Sequence, residues 1–136
     1  MADILKKIHG IGIVPVIALE NVEDAAPLAQ ALCNGGLPVA EVTYRTACAH
    51  DAMIEMKKAC PQMLFGAGTV LTKEQVDMAA EAGGLYMISP SVNEEVIRYT
   101  RELDLVSMPG AMTPTEVMTA HLAGADFVKL FPVGDL

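Results

Sequence analysis

Tryptophan is absent, and aromatic residues make up only 4% of the 136-residue chain. Stacking platforms for nucleobases or sugar rings are therefore scarce. Basic clusters are lacking as well: nine Lys and Arg stand against 17 Asp and Glu, a formal charge of −8. Binding to a nucleic-acid backbone is not expected of such a chain. The only cysteines, Cys33, Cys48 and Cys60, are odd in number and lack CxxC spacing, so neither a disulfide framework nor a zinc site is suggested. His9, His50 and His121 lie far apart in sequence and read as solvated helix residues. No run approaches the roughly 18 apolar residues of a membrane span, and the N-terminus lacks the apolar core of a secretory signal. A cytoplasmic protein without metal, cofactor, nucleic-acid or membrane partner is expected.

What the chain does have is apolar side chains, 52% of the total, against 19% charged. Disordered chains show the opposite balance. The length suits one domain over residues 1–136. Short apolar, β-branched runs lie at 13–17, 39–44, 63–70, 85–89, 105–108 and 127–131, with amphipathic segments between them. The helix punctuation is legible. Thr72 with Gln75 and Ser91 with Glu94 read as capping boxes. Thr113, Pro114 and Glu116 supply an N-cap, a first-turn proline and an N3 acid. Gly35-Gly36, Pro61, Gly83-Gly84 and Gly124 are stops. An extra helix over Asp3–Ile8 is placed to plug the bottom of a barrel. Alternating βα units imply a parallel sheet with right-handed crossovers.

Two architectures fit, an open doubly wound sheet and a (β/α)8 barrel. Alternation puts Glu41, Thr43 and Arg45 on one face of the second strand, and Lys129 with Phe127 and Phe131 on one face of the sixth. Both faces of a doubly wound sheet lie under helices, where unpaired charges cost several kcal/mol. The mouth of a barrel solvates them, so the TIM barrel is preferred. Eight units need on the order of 200 residues, and the chain covers about six.

Lys129 sits among apolar neighbours in FVKLFP. Desolvation lowers an amine's pKa, and an amine at 10.4 is only about 0.04% neutral at pH 7. A lowered value makes Schiff-base chemistry with a carbonyl practical. A strand-end lysine also snorkels to solvent, and that alternative stays open. Glu41 either moves protons or merely pairs with a cation. Arg45 either grips a carboxylate through its planar fork or forms a surface salt bridge. In GAGTV, Gly66 and Gly68 admit a ligand or relieve crowding, while Thr69 shares a face with Phe65 and Ala67 by alternation. Pro90 in ISPS terminates a strand. Cys48 is read as a packed thiol and the nine methionines as core filler.

Taken in order, GIVPVIALENVEDAAPLAQALCNGGLPVAEVTYRT, FGAGTVLT, MISPSVNEEVI and MPGAMTPTEVMTAHLAGADFVKLFP resemble the class I 2-keto-3-deoxy-6-phosphogluconate / 4-hydroxy-2-oxoglutarate aldolases. The resemblance covers residues 12–132. It implies a (β/α)8 barrel, a homotrimer and a 2-keto acid substrate. It further implies that Lys129 forms the Schiff base, Glu41 is the acid/base and Arg45 holds the pyruvate carboxylate. Thr69 and Pro90 would line the pyruvate pocket, with Phe131 beside the lysine. The reactions implied are cleavage of 2-keto-3-deoxy-6-phosphogluconate to pyruvate and glyceraldehyde 3-phosphate, or of 4-hydroxy-2-oxoglutarate to pyruvate and glyoxylate. No metal is called for, since an iminium supplies the polarisation that zinc gives in class II aldolases. The family's last two units, which hold the substrate phosphate, have no counterpart before the closing GDL, so no phosphate-site residue is named. The rival reading is a catalytically silent barrel fragment acting only in packing or binding.

Overall fold

The computed structural model describes residues 2–134. Asp135 and Leu136 of the closing GDL lie outside the described residues, as does Met1. The elements alternate: α1 (Ala2–Ile11), β1 (Val16–Ile17), α2 (Ala25–Asn34), β2 (Val39–Thr43), α3 (Ala49–Ala59), β3 (Leu64–Gly68), α4 (Lys73–Glu81), β4 (Tyr86–Ser89), α5 (Glu94–Glu102), β5 (Val106–Ala111), α6 (Pro114–Ala123) and β6 (Lys129–Leu130). All six strands are parallel, in the spatial order β1-β2-β3-β4-β5-β6. That order is not the one a doubly wound sheet would have. A doubly wound sheet reverses its strand order at a switch point. Here it never reverses, so right-handed crossovers put every intervening helix on one face. The result is a curled half-barrel.

The two faces are lined differently. Ala40, Val42, Phe65, Ala67 and Met87 point outward and are buried with Ala29, Met53, Met56 and Val76 of the helices. On the inner face Val39, Tyr86, Ile88, Val106 and Met108 cluster with Ile4, Leu5, Ile8 and Ile11 of α1. The N-terminal helix therefore closes the inner face, as expected, and runs three residues beyond Ile8. Among the described residues no helix is long and apolar enough to cross a membrane.

Two capping boxes form as read, Thr72 with Gln75 and Thr113 with Glu116. The third does not. Glu94 is the first residue of α5, and the cap is Asn93, whose Oδ1 accepts from the Glu95 and Val96 N–H groups. Asn caps as well as Ser does, and it directly precedes the first residue of α5, whereas Ser91 stands two residues further back. α5 also ends without glycine, on Leu103 followed by a left-handed Asp104. The outer strands are shorter than the apolar runs suggest. β1 and β6 each pair on one side only, so Ile13 and Phe127 stand outside the ladder. β5 instead runs past Met108, because Gly110 lies flat on the Pro90 carbonyl and pairs with Lys129.

Gly66 is packed from above by Tyr86. A methyl group there would overlap the Tyr86 carbonyl and its ring, while the Tyr86 hydroxyl is anchored 2.6 Å from the Ala40 carbonyl. Gly66→Ala therefore forces backbone apart, and overpacking of this kind costs about 1–3 kcal/mol or more. Urea unfolding should show a loss at the upper end of that range. An unchanged midpoint would mean that the β3–β4 spacing is soft.

Candidate active site

Where the strands end at their C-termini, a cavity of about 320 Å³ is lined by Glu41, Arg45, Thr69, Ile88, Ser89, Pro90, Lys129 and Phe131. All six residues singled out from the sequence lie on it. They come from four of the six strands, β2, β3, β4 and β6, or the turns that follow them. A larger cavity of about 490 Å³ continues below, walled mainly by apolar groups such as Ile8, Val14 and Met108. It is inner-face space with little functional chemistry beyond Lys129 and His9.

Glu41 sits mid-strand in β2 and its side chain is 5% exposed. Burial pushes its carboxyl above the ordinary carboxylate range, while Lys129 and Arg45 pull the other way without cancelling the effect. Lys129 Nζ stands 3.9 Å from Glu41 Oε2, with its side chain 34% exposed. The ammonium also lies 5.0 Å from the centre of the Phe131 ring, within cation–π range. At 3.9 Å the amine and carboxylate attract but are too far apart for a direct hydrogen bond.

Arg45 follows β2 and is exposed to the mouth. Among the described residues its guanidinium makes no ion pair or hydrogen bond, so its donors face the cavity unspent. The surface salt bridge weighed from the sequence does not form. Thr69 departs from the alternation: Phe65 and Ala67 point into the helix layer, whereas Thr69 lines the mouth. Its backbone is left-handed, φ 58°. β-branched residues rarely tolerate that conformation, and here it turns the side chain across the sheet.

Three contributors were not read from the sequence. Ile88 and Ser89 line the cavity, and Tyr86 supports it from beneath. Ile88 and Tyr86 could have been placed by alternation on the inward face of β4. Nothing local marked Ser89 apart from its place before Pro90. His50 is half-buried with Nδ1 enclosed and unpartnered, unlike the solvated His9 and His121. Among the described residues no group of three or more His, Cys, Asp or Glu could hold a metal.

The family model of the KDPG and KHG aldolases matches residues 4–136. A 2-dehydro-3-deoxy-phosphogluconate aldolase of Treponema pallidum is 39% identical over 132 residues, covering 97% of this chain and 63% of the relative. The crystal structure of the Zymomonas mobilis ZM4 2-keto-3-deoxy-6-phosphogluconate aldolase with 3-phosphoglycerate superposes with TM-score 0.82. It is 39% identical, over 88% of this chain and 56% of the other. A Legionella pneumophila KDPG aldolase, solved with pyruvate captured as a covalent carbinolamine, gives TM-score 0.82 at 37% identity, over 88% and 58%. The chain thus spans about six-tenths of the length of these relatives. The strand order, the cavity at the strand ends and the match over residues 4–136 agree: the chain belongs to the KDPG and KHG aldolase family.

Proposed function

We propose that this chain carries the catalytic face of a class I aldolase that cleaves 2-keto-3-deoxy-6-phosphogluconate, 4-hydroxy-2-oxoglutarate, or both, releasing pyruvate. The observation that carries the reading is the meeting in one cavity of an amine, a buried carboxylate 3.9 Å from it and an unpaired guanidinium. The Legionella relative, solved with pyruvate captured as a covalent carbinolamine, supports covalent chemistry of this kind.

The proposed steps use these groups in turn. Lys129 Nζ attacks the C2 ketone, and loss of water from the carbinolamine leaves a protonated imine. The imine draws in the C3–C4 bonding electrons as Glu41, through a bridging water, takes the C4 hydroxyl proton. An aldehyde departs. Glu41 returns a proton to C3 of the enamine, and hydrolysis releases pyruvate and the free amine. A carboxyl held above its ordinary range by burial is a better proton acceptor than a solvated one. Arg45 and Thr69 hold the C1 carboxylate. Pro90 and Phe131 shape the pocket around the imine.

The six strands are proposed to be part of a (β/α)8 barrel, with residues 1–136 in one domain. The open edges support this: β1 and β6 do not pair with each other, and Ile13, Val16 and Leu130 are exposed beside them. A cytoplasmic homotrimer acting on small 2-keto acids completes the proposal.

Treating the purified protein with pyruvate and borohydride should place a reduced three-carbon adduct on the peptide containing Lys129. An adduct on Lys57 or Lys73 instead would defeat the assignment.

Glu41→Gln should still form the adduct yet slow turnover by roughly 10²–10⁴-fold, the scale of lost acid–base catalysis. Arg45→Ala should mainly raise KM, because the grip on the carboxylate is present in ground and transition states alike. Two changes that left the steady-state kinetics intact would reduce the pair to structural charges.

Stability offers a separate check. A carboxyl whose folded pKa is raised favours the fold when protonated, and that contribution is lost as pH rises from the unfolded value, about 4.3, through the folded one. Glu41→Gln should therefore unfold later than the wild type at pH 7, and the gap should close by about pH 4. A gap that stayed constant across this range would show that Glu41 titrates normally.

A further inference from the structure

Gly68 has no conformational reason to be glycine. Its φ is not in the left-handed region, unlike those of Gly12, Gly36, Gly83 and Gly124. Its reason is contact. A methyl at Gly68 would overlap Glu41 Oε1 and lie 2.6 Å from its Cγ and 2.7 Å from its Cδ. The register explains how the two meet: Glu41 pairs with Gly66 and Thr43 with Gly68. The Glu41 side chain therefore leans one pleat toward the mouth and rests on the bare backbone of Gly68. Tyr86 covers Gly66 in the same way, filling the space beneath the carboxylate.

We propose that Gly68 is a positioning residue for Glu41, its missing side chain forming the seat that holds the carboxylate facing Lys129. The proposal rests on the acid/base role assigned to Glu41 above. The two glycines differ in what a methyl would strike. At Gly66 it meets the Tyr86 backbone carbonyl, which cannot yield without parting two strands. At Gly68 the three nearest atoms, Oε1, Cγ and Cδ, all belong to the Glu41 side chain. Gly68→Ala thus preserves the strand and shifts the carboxylate, and a misplacement of about 1 Å in a catalytic group costs up to about 10²-fold in rate.

The test compares Gly68→Ala in two backgrounds of the purified protein. With Glu41 present, kcat should fall at least about tenfold with little change in KM, because Arg45 is untouched. Borohydride trapping of pyruvate on Lys129 should persist. In a Glu41→Ala background, which removes Cγ, Cδ and the carboxylate and so clears the methyl, the same change should cost less than about threefold, a non-additivity that marks direct contact. Carbon-13 titration of the Glu41 carboxyl, assigned by its loss in Glu41→Gln, gives a readout without turnover. In Gly68→Ala its midpoint should fall toward the ordinary value as the group moves toward solvent. Equal losses in both backgrounds, or an unmoved midpoint, would overturn the proposal. If the wild type showed neither turnover nor a Lys129 adduct while the midpoint still moved, the seat would stand and the aldolase reading would fail.

Discussion

A flat sheet cannot hold the ion pair at the centre of this structure. Glu41 is on β2 and Lys129 on β6, with β3, β4 and β5 between them. Four strand spacings of about 4.8 Å would separate their backbones by roughly 19 Å in a flat sheet, beyond the combined reach of the two side chains. Their charged atoms nevertheless stand 3.9 Å apart. The sheet has to curl, and the inner face has to be the concave one. Helices on a single face, α1 across the inner cluster and the cavity at the strand ends all belong to that curled geometry. The pair also offsets part of the cost of burying Glu41, which without a cation opposite would amount to several kcal/mol.

Curling crowds the concave face, and the chain meets this by setting large residues beside absent ones. Tyr86 lies on Gly66, the Glu41 carboxylate on Gly68, and the Pro90 carbonyl on Gly110. Each glycine belongs to a strand next to the one that supplies the bulk. Tyr86 has a further effect: its hydroxyl donates to the Ala40 carbonyl rather than to the carboxylate above it. Glu41 is left without the donor that would favour ionisation, in keeping with a carboxyl whose affinity for protons is raised by burial.

How much could be read in advance depended on how local each cause is. Strand and helix alternation and the Thr72 and Thr113 caps rest on residues within one turn of each other, and they form as read. The three charged residues were legible because mid-strand charge has few places to go. Thr69 was put on the wrong face because alternation assumes an extended backbone, and the chain leaves the ladder one residue earlier, at Gly68. The cap at Asn93 was missed because Ser91 offered an equally good local pattern, and only the tertiary path of β4 decides between them. The meaning of Gly68 was hidden for a different reason: a residue with no side chain announces nothing until its neighbour's carboxylate is seen resting on it.

The end of β3 concentrates two costs in adjacent residues. Gly68 forgoes packing, and Thr69 holds a left-handed backbone that costs a β-branched residue on the order of 1–3 kcal/mol. Neither is needed for strand pairing, since Ala67 and Val70 on either side are fully buried in the outer core and hold the segment in register. Both become intelligible only at the cavity, where one leaves room for a carboxylate and the other turns its side chain into the mouth. Strain confined to the residue just past a strand's end, anchored below by a close-packed layer, is easily tolerated, because relaxing it would mean moving that layer. The same segment placed mid-strand would break the ladder on both sides. This is a physical reason for the chemistry to gather at the C-terminal strand ends, where the backbone is free to depart from the sheet while its last paired residues remain fixed.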